Sequence, residues 1–200
     1  MWNVLQRLVV SDKFSKAKFD TLTHLLDSQT VHGTSILHFA AIGSSDMVKY
    51  VLKHNANPNH QNEDGTTPMH WAVRHGKLDN VKLLIDYNAV VDLADDCGDS
   101  PLHWAAEYDK EEIAEYLMDH GARPGRKNFG SETPIDIAKQ NDSRKMVHLL
   151  QQHKTQQENS SQKDTRSASC ASLIYNKMST FVNRQLLSCS CNNHVHRIRI

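Results

Sequence analysis

The stretches GTTPMHWAV (Gly65–Val73) and GDSPLHWAA (Gly98–Ala106) decide how this chain is read. Each places Thr-Pro or Ser-Pro ahead of an apolar residue and then His, Trp and Ala. Working outward, GTSILHFAA (Gly33–Ala41) and GSETPIDIAK (Gly130–Lys139) vary the same pattern, so that Leu37, Met69, Leu102 and Ile135 fall 32, 33 and 33 residues apart. A fixed period of this size marks stacked supersecondary units. Ala40, Ala72, Ala105 and Ala138 recur in register, followed by Val48, Val81, Ala114 and Val147 and by Val51, Leu84, Leu117 and Leu150. Two apolar helical faces per unit follow.

Pro68, Pro101 and Pro134 each follow Thr or Ser. That arrangement starts a helix, because the hydroxyl can cap free backbone N–H groups and proline loses nothing in the first turn. Met69 with Ala72, and Leu102 with Ala105, share one face, and the small alanine lets a second helix approach. The spacing predicts that second helix near 79–87 and 111–119. It stops at Asn55-Ala56, Asn88-Ala89 and Gly121-Ala122, where Asn or Gly can take the left-handed conformation. One helix pair cannot bury both faces, so neighbouring units must stack into a solenoid.

TTPMHWA, DSPLHWA, TSILHFA and ETPIDIA resemble the T-P-L-H-x-A signature of the ankyrin repeat, and HNANPN, YNAVVD and HGARPG resemble its helix-to-finger turn. The resemblance implies an all-α, ankyrin-type solenoid of helix-turn-helix repeats with short β-turn fingers. Four repeats are expected at about 30–61, 62–94, 95–126 and 127–153. Residues 1–29 read as a degenerate capping helix pair, with Trp2, Leu5, Leu8 and Val9 and then Phe19, Leu22, Leu25 and Leu26 as its apolar positions. Four departures stand out: Ile36 replaces proline, one residue is missing between Ala40 and Val48, Asp136 replaces the signature histidine, and Ser131 reads as an added residue before Thr133. Residues 154–170 form a polar linker too poor in apolar side chains to offset the entropy of ordering. In 171–200 Leu173, Ile174, Met178, Phe181, Val182 and Leu186 recur at helical spacing in an otherwise largely disordered basic tail.

Composition narrows the function classes. No run approaches the ~18 to 20 apolar residues a membrane span needs. Arg7 interrupts the apolar N-terminus before Asp12 and Lys13, which does not fit a secretory signal. Of four cysteines, Cys97 stands alone and Cys170, Cys189 and Cys191 cluster late, which fits no disulfide framework. A reducing cytoplasmic or nuclear setting is expected. The 23 basic and 23 acidic residues balance, yet 165–200 holds Arg166, Lys177, Arg184, Arg197 and Arg199 with no acid, or +5. The other 18 basic and 23 acidic residues leave 1–164 at −5. An acidic repeat region is a poor nucleic-acid ligand, so no nucleic acid is expected there.

Thirteen histidines raise the question of catalysis or metal. His38, His70 and His103 occupy one repeat position, where the resemblance implies a hydrogen bond to the neighbouring unit's loop. Ser100 or Asp99 beside His103 belongs to the helix-start motif and lacks a third orienting group. No catalytic residue, no enzyme and no cofactor is expected. Trp71 and Trp104 fall where Phe39 and Ile137 fall and read as packing between units.

The resemblance implies instead that a partner protein is held by the finger tips and the exposed end of each first helix, on the concave side. Those positions are Gln61, Glu63, Asp64, Thr66, Arg74 and His75 in the second unit, and Asp96, Cys97, Asp99, Glu107 and Tyr108 in the third. From Asp86 to Asp119 there are eleven acids against Lys110 alone. Glu111, Glu112 and Glu115 suit a solvated helix start, whereas Asp96, Asp99 and Glu107 beside Tyr108 suit a basic partner. The expected function is an adaptor, scaffold or competitive inhibitor. The leading reading of the tail is a disordered basic segment; against it stand two alternatives, Cys189, Cys191, His194 and His196 as a sufficient but unusually compact zinc set, and the same cysteines after a basic amphipathic segment as sites of acylation and membrane tethering.

Overall fold

A computed structural model of the chain describes residues 32–156. The chain divides into two units, Met1–Lys154 and Thr155–Ile200. The expected N-terminal cap lies outside the described residues, as do nearly all of the linker and the whole tail, including Cys189, Cys191, His194 and His196.

Inner helices α1 (Ile36–Ile42), α3 (Pro68–Arg74), α5 (Pro101–Glu107) and α7 (Pro134–Gln140) alternate with outer helices α2 (Ser45–Lys53), α4 (Leu78–Asp86) and α6 (Glu111–Asp119). A further outer helix, α8, runs from 144 to the last described residue, 156. Inner helices pack on inner helices in the order α1, α3, α5, α7, and α4 joins α2 to α6 in the outer layer. The core is continuous through the stack. Leu37, Met69 and Leu102 on the inner helices and Val48, Val81, Ala114, Leu84 and Leu117 on the outer ones are all but inaccessible, and Ala40, Ala72, Ala105 and Ala138 are fully buried where the two layers meet. The outer helices end at Asn55 (φ 63°), Asn88 (φ 64°) and Gly121 (φ 96°), the left-handed residues the sequence specifies.

Each inner helix opens with a capping box. In three of them histidine fills the position three residues on. The backbone N–H groups of Ser35, Thr67 and Ser100 donate to Nδ1 of His38, His70 and His103 at 3.1–3.2 Å, and the three hydroxyls meet the same nitrogens at 2.8–2.9 Å. With Nδ1 accepting, the proton sits on Nε2. That N–H donates to the next unit's finger base: His38 to Thr66 O at 3.0 Å, His70 to Asp99 O at 3.1 Å and His103 to Glu132 O at 3.3 Å. Asp136 performs only the local half of this work. Its Oδ2 accepts from the Thr133 N–H at 3.2 Å and the hydroxyl at 2.7 Å, and a carboxylate has no proton to pass on.

The missing residue before Val48 shortens the loop between α1 and α2 to Gly43-Ser44. Buried Asn80 on α4 answers it. Its Nδ2 donates to Ala41 O at 2.8 Å and Gly43 O at 3.1 Å, at a position held by Met47, Ile113 and Met146 in the other units.

Fingers link the helix pairs. Asn62, Asp95 and Asn128 each donate their backbone N–H four residues on, to Thr66 O, Asp99 O and Glu132 O, closing three tight turns. Positive φ falls on Gly65 (71°), Gly98 (82°) and Ser131 (65°). Ser131 is therefore no insertion but the occupant of the glycine position, counted three residues back from proline. Glycine is required at 98 for a second reason, since a Cβ there would stand 2.8 Å from the backbone nitrogen of Phe129. We expect Gly98→Ala to cost about 2 kcal/mol or more, and Ser131→Gly to add up to about 1 kcal/mol. Urea unfolding of both variants checks this, and equal effects at the two positions would contradict it.

Candidate functional site

The finger turns are built by the side chain that opens each. Asn62 Oδ1 accepts from the backbone N–H of Thr66 and from its hydroxyl, both at 2.9 Å. Asp95 Oδ1 accepts from the N–H groups of Cys97 and Asp99 at 2.9 Å, while Oδ2 takes the indole N–H of Trp104 at 3.0 Å. Asn128 Oδ1 accepts from the Glu132 N–H at 2.9 Å. Successive tips are joined by backbone bonds from Glu63 N to His32 O, Asp96 N to Asp64 O and Phe129 N to Cys97 O. The tips thus form one connected row.

This framework sorts the residues that the sequence assigns to partner binding. Thr66 does not belong with them: it is 6% exposed, its hydroxyl is shared between Asn62 and the Trp71 indole N–H, and its carbonyl holds His38. Gln61 is exposed, but its amide bridges Gly65 O at 2.8 Å and Ala94 O at 2.9 Å, tying two units together. Asp99 is half-buried, with Oδ1 accepting from Asn128 Nδ2 at 2.8 Å. Glu63 lies 3.2 Å from the His32 ring. Asp64, Asp96, Cys97, Arg74, His75 and Glu107 are exposed. Half-buried Tyr108 lies beside Trp104, and the Arg74 guanidinium carbon sits 5.4 Å from its ring centroid. That cation–π contact gives the aromatic a cationic neighbour the sequence reading did not anticipate.

Trp71 and Trp104 are half-buried rather than enclosed. Their rings meet the preceding unit's histidine edge to face, His38 at 5.4 Å and His70 at 5.2 Å, so they pack between units as expected. Phe129 was not among the expected residues. It is 81% exposed at the third finger tip, where the earlier fingers carry Glu63 and Asp96.

Electrostatics divides into two regions. Burial pushes His38 and His70 down to about 4, and pushes His103 down as well, so all three imidazoles are neutral near pH 7. At the tips, Asp95, then burial, then Asp99, Asp96 and Asp64 push the exposed Cys97 thiol up. Four carboxylates therefore act together on one surface point. On the inner-helix end, His75 is pushed down by burial and then by Arg74, Lys77 and Lys110. The face is acidic at the fingers and basic beside α3.

Among the described residues, no cluster of three or more His, Cys, Asp and Glu side chains could hold a metal ion, and no helix is long and apolar enough to cross a membrane.

The family model for ankyrin repeats, in three copies, matches residues 13–95 and 89–164. The chain belongs to the ankyrin-repeat family. No curated protein matches it. Ankyrin repeats imply a protein–protein interaction module, and they are typically non-catalytic.

Proposed function

We propose that this chain is a non-enzymatic adaptor, scaffold or competitive inhibitor that holds a basic segment of a partner protein against its finger row and inner-helix ends. The observation that carries this reading is that Asp64 and Asp96 stand exposed on adjoining finger tips held together by the Asp96 N–H bond to Asp64 O, beside Asp95 and Asp99, which the finger turns hold in place. Asp64 and Asp96 are exposed, and the fold uses their backbones rather than their carboxylates to join the fingers. Such a field steers a cationic partner and sets its register. Glu107 adds a separate exposed carboxylate at the far end of α5, and Tyr108 adds an aromatic contact of the kind that slows dissociation.

The test is binding of the full chain to synthetic peptides of matched length carrying net positive, neutral or net negative charge, at two ionic strengths. Basic peptides are expected to bind and to weaken as salt rises. Equal binding to all three classes, or preference for the acidic ones, would overturn the reading. Membrane tethering through residues 171–191 rests on a part of the chain outside the described residues and is not needed for this binding.

A further inference from the structure

Val90 and Phe129 are the only large apolar side chains left exposed among the described residues, and Phe129 is exposed the more, at 81%. One side of it is packed. Its backbone N–H donates to Cys97 O at 3.0 Å, and its ring lies so close over Gly98 that a Cβ there would stand 2.9 Å from Cδ1. The neighbouring Asn128 donates from Nδ2 to Asp99 Oδ1 at 2.8 Å. The aromatic ring thus packs on Gly98 of the preceding finger, in the segment whose flanking residues are Asp96 and Asp99.

An exposed aromatic already packed on one side against a neighbouring backbone loses less conformational freedom when it is covered than a ring free on all sides, which is what makes such residues effective anchors. We propose that Phe129 and Asp96 form a two-part anchor for a partner-protein segment in which a long apolar side chain stands within a few residues of Lys or Arg. The apolar group covers the ring while the cation meets the carboxylate. This proposal rests on the acidic-face reading and adds to it the apolar requirement. A second copy of this chain is a poor occupant, because a two-fold contact at Phe129 would bring the acidic fingers of both copies together. Nucleic acid and anionic lipid meet the same repulsion.

The experiment presents the full chain with an array of synthetic peptides, each holding two Lys or Arg residues and one varied position occupied by Leu, Phe, Ser or Glu. Leu and Phe are expected to bind about tenfold better than Ser, the effect of one covered anchor. Phe129→Ser is expected to remove that preference while keeping the requirement for basic residues, and Phe129→Leu to keep most of it. Circular dichroism of both variants checks that they are folded. Indifference of the unaltered chain to the varied position, or a preference surviving Phe129→Ser, overturns the anchor and leaves the acidic-face reading intact. Failure of every basic peptide overturns both. Concentration-dependent dimerisation in sedimentation that Phe129→Ser abolishes would make a second copy the occupant and likewise overturn the anchor.

Discussion

Lowering the pH from 7 to 4 is expected to remove about 6 kcal/mol of folding stability from the repeat stack, roughly 3 kcal/mol for each of His38 and His70. Both are fully buried, and both are pushed down to about 4 from an ordinary value of 6.5. The native state therefore binds fewer protons than the unfolded chain between those two values. Stability is fully present above about 6.5 and falls as the pH drops towards 4. The structural cause is visible at Nδ1, which accepts from the Ser35 or Thr67 backbone N–H. Protonation turns that acceptor into a donor facing donors, at the start of a helix and beside the bond to the next unit. His103 shifts the same way and adds to the effect. The loss is comparable to the whole stability of many domains. Urea unfolding at intervals from pH 7 to 4 checks it, and His70→Gln should show a shallower decline than the unaltered chain. A midpoint unchanged across that window would contradict the assigned tautomer and burial.

Leu102→Ala is expected to cost about 3 kcal/mol and to lower the midpoint of unfolding for the whole stack. Leu102 is fully buried on α5, the inner helix between α3 and α7, so truncation leaves a cavity that its neighbours cannot fill without shifting. Val90→Ala offers the contrast. With Val90 52% exposed, its change should stay within about 0.5 kcal/mol. Similar costs at the two sites would mean that the inner helices do not share one continuous core.

Much of this architecture was legible because its signals are local. Thr67-Pro68, Ser100-Pro101 and Thr133-Pro134 mark the helix starts within two residues, and Asn55, Asn88 and Gly121 mark ends that need positive φ. Glycine marks the finger turn at 33, 65 and 98 but not in the last unit, where only the count back from Pro134 brings Ser131 onto the left-handed position. The same count places Phe129 with Glu63 and Asp96, a signal for that tip that the charge pattern does not carry. The roles of Thr66 and Asp99 depend on groups of the adjoining units, the Thr66 carbonyl taking the N–H of His38 on the preceding inner helix and the Asp99 carboxylate the Asn128 amide of the next finger. Sequence spacing does not show such partners. Nor does it show that Arg74 reaches Tyr108, 34 positions away, although two exposed helix ends in adjacent units were the place to look.

The most direct test of the acidic face is the association rate of a basic peptide that binds the unaltered chain, measured against Asp64→Asn/Asp96→Asn/Glu107→Gln at two ionic strengths. These three side chains are exposed, and none is a hydrogen-bonding member of the finger turns, so the variant should unfold within about 0.5 kcal/mol of the unaltered chain at each site. The account predicts slower association by about tenfold or more at low salt, a flattened salt dependence and a little-changed dissociation rate. Unaltered association and salt response in a folded triple variant would contradict it, and would move the search for the binding face to Arg74, His75 and the basic end of α3.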